Sequence, residues 1–450
     1  MCLRQNTRSS LPSSSRARNL ALDRAIEGLR VQPQHIVVSG ERERVSCAQH
    51  GSPNRGPGMT RVQIRLNRRD WFRVWLINGI AVAMGLDRLS SQPVIFAGAQ
   101  DPFQGGKKIG DVDFAGELPT EMNTILGTEL DGRLFTDLSA LTPEHAIVQT
   151  KDFFIRTCVS KLLKDDTTWT IRFAGLAHEE TNLSLAQLTA MEKPLGVHLL
   201  ECVGNTRERH FGLMSVASWT GVTLSEILNT VRIGPRTTHV LVSGFDRYQT
   251  EPATSIPGAS WIFKLNELID RGAFLATRMN GQLLPRDHGA PVRLIVPGWY
   301  GCACIKWVNE IAVVSDDAPA TSQMKEYAER TGQQGVPSVA TDYLPAAMEY
   351  AAIPIRVERW SVGGAFKYRV VGLLWGGSAP VKKLEIRFNP EQEYVPVDHL
   401  DPPGRDSWRF WIHIWAPQKE GTHLIRLRVR DPVVEAKRLN SGFYVRTVEL

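Results

Sequence analysis

The sequence predicts an α+β domain followed by an antiparallel β-sandwich. Up to about residue 335, short strand-like and helix-like segments alternate without βαβ regularity, which is typical of α+β folds rather than doubly wound sheets. From Ile353 onward, alternation of apolar and polar residues with a period of two dominates, and Gly, Pro and Asp separate the runs. A stretch of about a hundred residues of this kind suits an immunoglobulin-like sandwich.

The elements of both domains follow from local pattern. Helical periodicity predicts a helix at 185–191 with Ser184 as N-cap, and another at 224–231, where Thr223 and Glu226 have the spacing of a capping box. Apolar runs predict strands in the first domain, 100–335, at 153–155, 169–175, 197–202, 239–243 and 293–296. Alternation predicts strands in the second domain, 336–450, at 355–360, 368–375, 384–388, 408–415 and 423–430.

The charge of the chain is unevenly distributed. The 450 residues carry a formal net charge of +6, but residues 1–99 alone hold 15 Arg, no Lys and 6 acidic residues. The remaining 38 basic and 41 acidic residues make the rest slightly acidic, so no nucleic-acid partner is expected. Residues 1–58 are rich in Ser, Arg, Pro and Gly and predict disorder, with Met59 as an alternative start of translation.

Residues 59–99 have the pattern of an export signal. Arg68 and Arg69 precede a large aromatic residue, an apolar run covers 74–86, and a small-x-small site comes directly before Gln100. This order predicts a cleaved signal of the twin-arginine type, and hence a periplasmic protein. Thirteen apolar residues are too few to span a bilayer comfortably, so no stable membrane span is expected. The alternative is an uncleaved anchor or an amphipathic helix.

One cysteine lies at the end of an apolar run. Cys202 follows Leu-Leu-Glu and precedes a Gly-Asn turn signal, with Arg207 and Arg209 close behind. Positive neighbours and metals lower the pKa of a cysteine, and only the thiolate binds metal or attacks an electrophile. The pattern therefore indicates a reactive or metal-binding thiol. The alternative is a structural cysteine buried beside a surface turn.

A second motif lies at 279–307. It contains, in order, Met-Asn-Gly, Pro-Arg-Asp-His-Gly, Pro-Val-Arg, Val-Pro-Gly and Lys-Trp, and Cys202 itself lies in Cys-x-Gly-Asn-x-Arg. Together the two motifs resemble the sulfite oxidase family of molybdenum enzymes, over roughly residues 115–330 and more loosely to Leu450. The resemblance implies a molybdenum–molybdopterin cofactor whose metal takes one protein ligand.

The resemblance also implies roles for individual residues. Cys202 would ligate molybdenum. Arg156 and Arg207 would offer planar guanidinium groups to an oxyanion, and Tyr327 would take part in proton transfer. The pterin would be held by four residues, Asp246, His288, Arg293 and Lys306.

Each of these residues has a plainer interpretation. The two arginines would otherwise lie at the surface or in ion pairs, and Tyr327 would be an exposed tyrosine on a polar helix. The alternative for the four pterin residues is a turn aspartate at Asp246 and three unrelated surface residues at His288, Arg293 and Lys306.

The chain departs from animal sulfite oxidases in two places. Thr157 and Cys158 stand where those enzymes have Asn-His. The loop after Arg207 is short and lacks the tryptophan that walls the substrate pocket, so His210 or Phe211 would stand in for it. These departures leave the substrate open.

Two further cysteines, Cys302 and Cys304, lie close together in sequence. A lone Cys-Ala-Cys pair is a poor zinc signature. If the segment is a strand, both thiols point to the same face, with their Cα atoms near the upper limit for a disulfide.

The resemblance implies an enzyme that transfers an oxygen atom to or from a small oxyanion, with oxidation of sulfite to sulfate as the first expectation. No Cys-x-x-Cys-His motif occurs, so no c-type haem is expected on this chain and electrons would pass to a separate acceptor such as a c-type cytochrome. The second domain is expected to form a homodimer, or else merely to pack on the first. The alternatives are a reductase of sulfoxides or related oxides and a non-catalytic binding protein.

Overall fold

A computed structural model describes residues 101–117, 133–156, 168–175, 180–231, 237–245, 259–377, 381–402, 407–431, 434 and 436–450. Within these residues the fold is mostly β with few helices. The described residues form one compact unit. The segments predicted to be disordered (1–58) and to be an export signal (59–99) lie outside the described residues. No helix among the described residues is long and apolar enough to cross a membrane.

The strands are numbered in chain order. Those before residue 335 are β1 (Lys107–Val112), β2 (Arg133–Leu134), β3 (Ile155–Arg156), β4 (Thr170–Ala174), β5 (Thr181–Ser184), β6 (Lys193–Glu201), β7 (Met214–Thr223), β8 (His239–Gly244), β9 (Ser260–Lys264), β10 (Phe274–Met279), β11 (Gln282–Leu283), β12 (Arg293–Ile295) and β13 (Val308–Val314). Those after it are β14 (Ala351–Val362), β15 (Ala365–Trp375), β16 (Leu384–Arg387), β17 (Val395–Pro396), β18 (His399–Leu400), β19 (Arg409–Trp415), β20 (Thr422–Val429) and β21 (Arg446–Glu449).

The helices are short. The α-helices are α1 (Leu185–Thr189), α2 (Leu224–Val231), α3 (Leu265–Asp270), α4 (Ser322–Tyr327) and α5 (Lys437–Ser441). The 3₁₀ helices are Leu138–Ala140, Thr150–Asp152, Arg207–Arg209, Arg286–His288, Glu329–Thr331 and Ala340–Asp342.

Both predicted helix starts are confirmed. Ser184 caps α1 and forms a capping box with Gln187, whose side chain returns a contact to the Ser184 amide. At α2, Thr223 Oγ1 accepts a hydrogen bond from the Glu226 amide at 3.4 Å, and the Glu226 carboxylate accepts one from the Thr223 amide at 3.3 Å. These reciprocal bonds satisfy amides that the first turn of a helix leaves without partners.

Two sheets carry the first region. One has the order β11-β10-β7-β6, with β12 also paired to β10, and the other has the order β5-β4-β13-β8-β9. Strand β13 pairs parallel to β4 and antiparallel to β8. The predicted strands at 169–175, 197–202, 239–243 and 293–296 all lie within a residue or two of β4, the end of β6, β8 and β12. The segment predicted at 153–155 is a strand only from Ile155 to Arg156.

The C-terminal region is built from two further sheets. Their orders are β1-β14-β15-β19-β18 and β17-β16-β20-β21. The rings of Phe388, just after β16, and Trp415, at the end of β19, stack with their centroids 4.0 Å apart. The two sheets are therefore in contact. Strands β14, β15, β16, β19 and β20 lie where the period-two alternation predicted them, whereas β1, β17, β18 and β21 were not predicted.

The C-terminal sheet also contains a segment from the beginning of the described chain. Strand β1 pairs antiparallel with β14, from Lys107 opposite Ser361 to Val112 opposite Val357. Further along, Phe114 forms a bridge with Val448. The predicted boundary near residue 335 therefore separates the chain in sequence, while the sheet that follows it includes residues from before it.

Candidate active site

Cys202 lies in the turn between β6 and β7. The apolar run that ends at Glu201 forms a nine-residue strand whose last residues, Leu199 and Leu200, are buried. The Cys202 amide donates to the Leu213 carbonyl at 2.9 Å, and the Asn205 amide donates to the Cys202 carbonyl at 2.9 Å. The strand pairing and this tight turn hold the thiol at the end of the sheet.

Two buried polar side chains fix this turn. Asn205 accepts a hydrogen bond from the Leu213 amide at 3.0 Å and donates to Glu201 at 3.3 Å. The other oxygen of Glu201 accepts from the Trp375 indole at 2.8 Å. Because Trp375 ends β15, the residue preceding Cys202 is tied to the C-terminal sheet. Burial raises the pKa of Glu201, against the opposing effects of Trp375, Arg438 and Asn205.

Two arginines lie near the Cys202 thiol. Arg156 ends the short strand β3, and Arg330 lies in the 3₁₀ helix that follows α4. A Cβ atom placed on Gly204 would lie 3.7 Å from Nη1 of Arg330 and 3.8 Å from Sγ of Cys202, so both atoms face the same point. The family resemblance implied Arg156 at this site but did not indicate Arg330.

The pKa of the free Cys202 thiol is raised. Burial is the largest cause; an amide hydrogen bond at Gly204 and the positive charges of Arg156 and Arg330 act in the opposite direction, while Glu201 adds to the rise. The sequence led us to expect that Arg207 and Arg209 lower the pKa of Cys202. In the structure the positive neighbours are Arg156 and Arg330, and the pKa is raised. The thiol is partly accessible, and binding a metal cation is what would stabilise its thiolate form.

Arg207 points toward the C-terminal segment. Its Nη1 donates to the Val445 carbonyl at 3.4 Å, and its charge acts on Arg446. Two neighbouring residues of the short loop also have partners other than Cys202. Phe211 is fully buried, with its ring 5.4 Å from that of Tyr444. His210 pairs with Glu117 at 2.7 Å. Phe211 is thus a core residue rather than a pocket wall.

Tyr327 ends α4 and packs partly against the core. Its phenol has a raised pKa, caused first by burial and then by the negative charges of Glu326, Cys202 and Cys302, while Arg156 opposes the rise. The guanidinium carbon of Arg330 lies 5.9 Å from the centre of its ring. The structure therefore brings Tyr327 to Cys202, and the residue is half-buried rather than exposed.

A second thiol lies beside the first. The Gly301 amide donates to the Glu201 carbonyl at 2.7 Å, which brings the residue after each, Cys302 and Cys202, close together. The pKa of Cys302 is raised well above its ordinary value by burial, by Cys202 and by Cys304. Residues 301–304 form turns and not a strand, so the expectation that both thiols share one face does not hold.

The predicted pterin residues form a second cluster. His288 and Arg293 are buried, and Nη1 of Arg293 donates to the His288 carbonyl at 3.0 Å. Nζ of Lys306 donates to the Asp287 carbonyl at 3.0 Å and to the Arg156 carbonyl at 3.3 Å. Lys306 therefore connects this cluster to the one around Cys202. A Cβ on Gly289 would lie 3.0–3.1 Å from both Lys306 and Arg293, which favours glycine there.

The charges of this cluster suit an anion. Burial, then Lys306 and Arg293, lower the pKa of His288 to about 3, so its ring is neutral at pH 7. Burial lowers the pKa of Arg293 to about 10, which leaves it charged. Nε of Arg293 is buried without a hydrogen-bond partner, and no carboxylate among the described residues pairs with its guanidinium. A buried cation with an unsatisfied donor fits a bound phosphate.

Other metal-binding patterns are not seen. The described residues contain no group of three or more His, Cys, Asp or Glu side chains arranged to hold a metal ion. Asp246 and Cys158 lie outside the described residues. The residues present fit a cofactor that brings its own metal and needs one thiolate and a binding site for its phosphate.

Part of the chain is similar to known proteins. Residues 159–322 match the family described as oxidoreductase molybdopterin binding domain. The chain is 28% identical to mitochondrial sulfite oxidase of Rattus norvegicus over 62% of its own length and 55% of that protein, and thus spans about half of that relative. It is also 28% identical to nitrate reductase [NADPH] of Aspergillus niger over 65% of this chain and 39% of that one.

A solved structure has a similar fold. The sulfane dehydrogenase SoxCD from Paracoccus pantotrophus matches with a TM-score of 0.54 and 16% sequence identity, over 80% of this chain and 95% of that one. The likeness therefore extends beyond the first region into the C-terminal sheets.

Proposed function

We propose that this chain, which belongs to the sulfite oxidase family of molybdopterin-binding oxidoreductases, is a molybdenum enzyme. It oxidises a small sulfur oxyanion, with sulfite as the substrate and sulfate as the product. The observation that carries the proposal is the convergence of Cys202, Arg156 and Tyr327 at one partly open position, next to a buried cluster suited to a phosphate.

The cofactor supplies the oxygen-atom transfer and the two-electron change when it is bound. Cys202 would be its protein ligand to molybdenum. Arg293 and Lys306 would balance the charge of its terminal phosphate, and His288, which is neutral at pH 7, would contribute a hydrogen bond. Asp246 is proposed as a further contact to the pterin.

The substrate would be held by the protein's own charges. Arg156 would orient the oxyanion through its two-pronged guanidinium group, which matches a planar pair of oxygens better than an ammonium does. A tyrosine phenol is protonated at neutral pH, and burial raises the pKa of Tyr327 further, so this phenol would donate a hydrogen bond and would not act as a base. Arg207, which contacts the C-terminal segment, would act on the anion only after its side chain reorients.

A reductase of sulfoxides or related oxides is the second candidate. It is favoured by the similarity to a nitrate reductase, since that protein's name describes the reductive direction. The same arginines would bind the oxide in either direction, so the two candidates differ in the electron donor or acceptor and not in the site.

Several further properties are part of the proposal. We propose that the chain is exported to the periplasm by its twin-arginine-type segment and passes electrons to a c-type cytochrome. The C-terminal sheets would form an immunoglobulin-like sandwich, 336–450, that mediates a homodimer. Their alternation of apolar and polar residues and the contact between the two sheets support the sandwich.

The test is molybdenum content together with activity, on protein expressed in a host that makes the pterin. We expect near-stoichiometric molybdenum and sulfite-dependent reduction of cytochrome c or ferricyanide in the wild type, and no activity in a folded Cys202→Ser variant. Molybdenum without sulfite oxidation, but with oxidation of a reduced dye by sulfoxides, would favour the reductase. Absence of molybdenum from folded wild-type protein would leave a non-catalytic binding protein.

A further inference from the structure

Arg330 is placed at the Cys202 site by the local helix geometry. Helix α4 ends at Tyr327, and the chain continues into the 3₁₀ helix Glu329–Thr331. Residues three apart lie on one side of such a turn, which puts the guanidinium of Arg330 over the Tyr327 ring at 5.9 Å. Tyr327 and Arg330 therefore face Cys202 from the same element.

The backbone of Arg330 is fixed by a hydrogen bond, whereas its guanidinium group makes no hydrogen bond or ion pair among the described residues. Its carbonyl accepts a hydrogen bond from Nη2 of Arg438 at 2.6 Å, which fixes the turn against α5. In the part of the chain that the structure describes, its guanidinium has no hydrogen-bond or ion-pair partner. The residue is exposed, so the guanidinium lies at the mouth of the site, where a ligand from solvent would meet it.

Arg156, the other arginine near the Cys202 thiol, resembles Arg330 in these contacts. Its carbonyl is held by Lys306, and within the described ranges its guanidinium likewise makes no hydrogen bond or ion pair. Both arginines act on the Cys202 thiol electrostatically, and both do so as positive charges. Two guanidinium groups that pair with no carboxylate among the described residues, placed around one partly open point, form a binding site for a small dianion.

We propose that Arg330 binds the substrate oxyanion together with Arg156, in the role that the sequence predicted for Arg207. The inference rests on the proposed function and adds to it the residue that selects the charge of the substrate. Arg207, with its guanidinium directed to Val445, would instead help to hold the C-terminal segment.

The experiment compares Arg330→Gln and Arg330→Lys with the wild-type holoenzyme. Loss of one charged hydrogen-bonding group should raise the KM for sulfite at least about tenfold, with a smaller change in kcat. The KM of Arg330→Lys should lie between those of wild type and Arg330→Gln, because an ammonium group keeps the charge but lacks the paired N–H donors of a guanidinium group. Molybdenum content and melting temperature should stay at wild-type values.

A matched control is Arg271→Gln. Arg271 follows α3 at its C-terminal end and lies outside the cluster, so its loss should leave KM unchanged. Inhibition by sulfate gives a second readout, because a product-like dianion occupies the same charges without chemistry. Its inhibition constant should rise in Arg330→Gln by about the same factor as KM.

The outcomes separate this inference from the proposed function. Wild-type sulfite oxidation with KM and sulfate inhibition within twofold in Arg330→Gln would overturn the role of Arg330 and leave the function intact. A fall in kcat alone, with KM unchanged, would also overturn it. If the wild type does not oxidise sulfite, calorimetric titration of wild type and Arg330→Gln with sulfate tests the role of Arg330. Weaker binding in Arg330→Gln than in wild type supports the inference, and equal binding or none overturns it.

Discussion

In the C-terminal sheet, basic side chains surround a buried carboxylate. By contrast, the arginines beside Cys202 and His288 pair with no carboxylate among the described residues. Glu358 accepts hydrogen bonds from Arg356 at 2.8 Å, Arg369 at 2.7 Å and the Trp360 indole at 3.1 Å, and Lys108 lies 3.7 Å away. Burial opposes the ionisation of Glu358, but Arg369 and the other donors outweigh it and lower its pKa.

The difference shows what each set of charges is for. The Glu358 cluster is balanced by the chain itself, so it contributes to the stability of the fold. Arg293 is buried with an unsatisfied Nε, and Arg156 and Arg330 lack carboxylate partners in the described ranges. Holding such cations without a counter-charge costs stability, and binding of an anion from solution would offset this cost. Four predictions test this contrast.

The largest effect is expected for Arg293→Met. Removing a buried cation that pairs with no carboxylate in the described part of the chain should leave the cofactor-free protein as stable as wild type or more so, because methionine fills the space without a desolvation cost. Retention of the pterin should fall at least about tenfold, the loss expected for one charged hydrogen-bonding group. Molybdenum and pterin content of purified protein, with denaturant unfolding of the cofactor-free form, measures both.

The control for that variant is Arg369→Met in the balanced cluster. It should lose stability and keep its cofactor, the reverse pattern. If Arg293→Met instead unfolds more easily and retains its full cofactor content, the contrast between the two regions is wrong.

Glu358→Gln should reduce the free energy of unfolding by about 3 kcal/mol, because it leaves partly buried cations without their counter-charge. The figure is at the low end of such losses because Arg369 is 29% exposed and solvent screens it. Urea unfolding followed by circular dichroism measures it. A loss below about 1 kcal/mol would mean that the cluster is only a surface network.

The same cluster should give a pH dependence. Because the pKa of Glu358 is lower in the folded protein than its ordinary value of 4.5, its stabilisation is present above pH 4.5 and is lost as the pH falls below that value. The stability difference between wild type and Glu358→Gln should therefore shrink between pH 5 and pH 3. A difference that stays constant over this range would contradict the ionised state of Glu358.

The smallest effect is expected for Trp375→Phe, which removes the indole donor to Glu201. We expect a loss of about 1 kcal/mol, the usual net value of one hydrogen bond, and faster alkylation of Cys202 in the cofactor-free protein because the turn is held less firmly. Trp411→Phe is the matched control, since Trp411 donates to the Leu373 carbonyl within the C-terminal sheet at 3.1 Å. It should lose similar stability without changing the alkylation rate.

The sequence predicted what depends on local pattern. The capped starts of α1 and α2 were predictable because the capping residues lie within three positions of each other. The long strands β14, β15 and β20 were predictable because the alternation of residue types is local. In the structure only β20 alternates in burial, whereas β14 and β15 have long runs of consecutive buried residues. Among site residues, Cys202 and Arg156 were found through the motifs and are close together in the structure.

What the sequence did not predict depends on distant contacts. Arg330 reaches Cys202 only because a 3₁₀ turn follows α4, and its sole sequence signal is a position three residues after Tyr327. Cys302 and Cys304 would share a face if their segment were a strand. It forms turns instead, which direct Cys302 to Cys202 and Cys304 to Val296, whose amide lies 3.4 Å from the Cys304 sulfur. Neither the turn nor its orientation has a periodic signature.

The pairing of β1 with β14 has a consequence for how this protein is made. Lys107 lies opposite Ser361, about 250 residues later, so during synthesis the ribosome releases the early strand long before its neighbour exists. Pairing between residues so far apart in sequence slows folding and leaves the edge of β1 unpaired until β14 has been synthesised. A gene truncated near codon 335 would keep the molybdopterin-type motifs yet yield a chain whose first strand has no sheet to join.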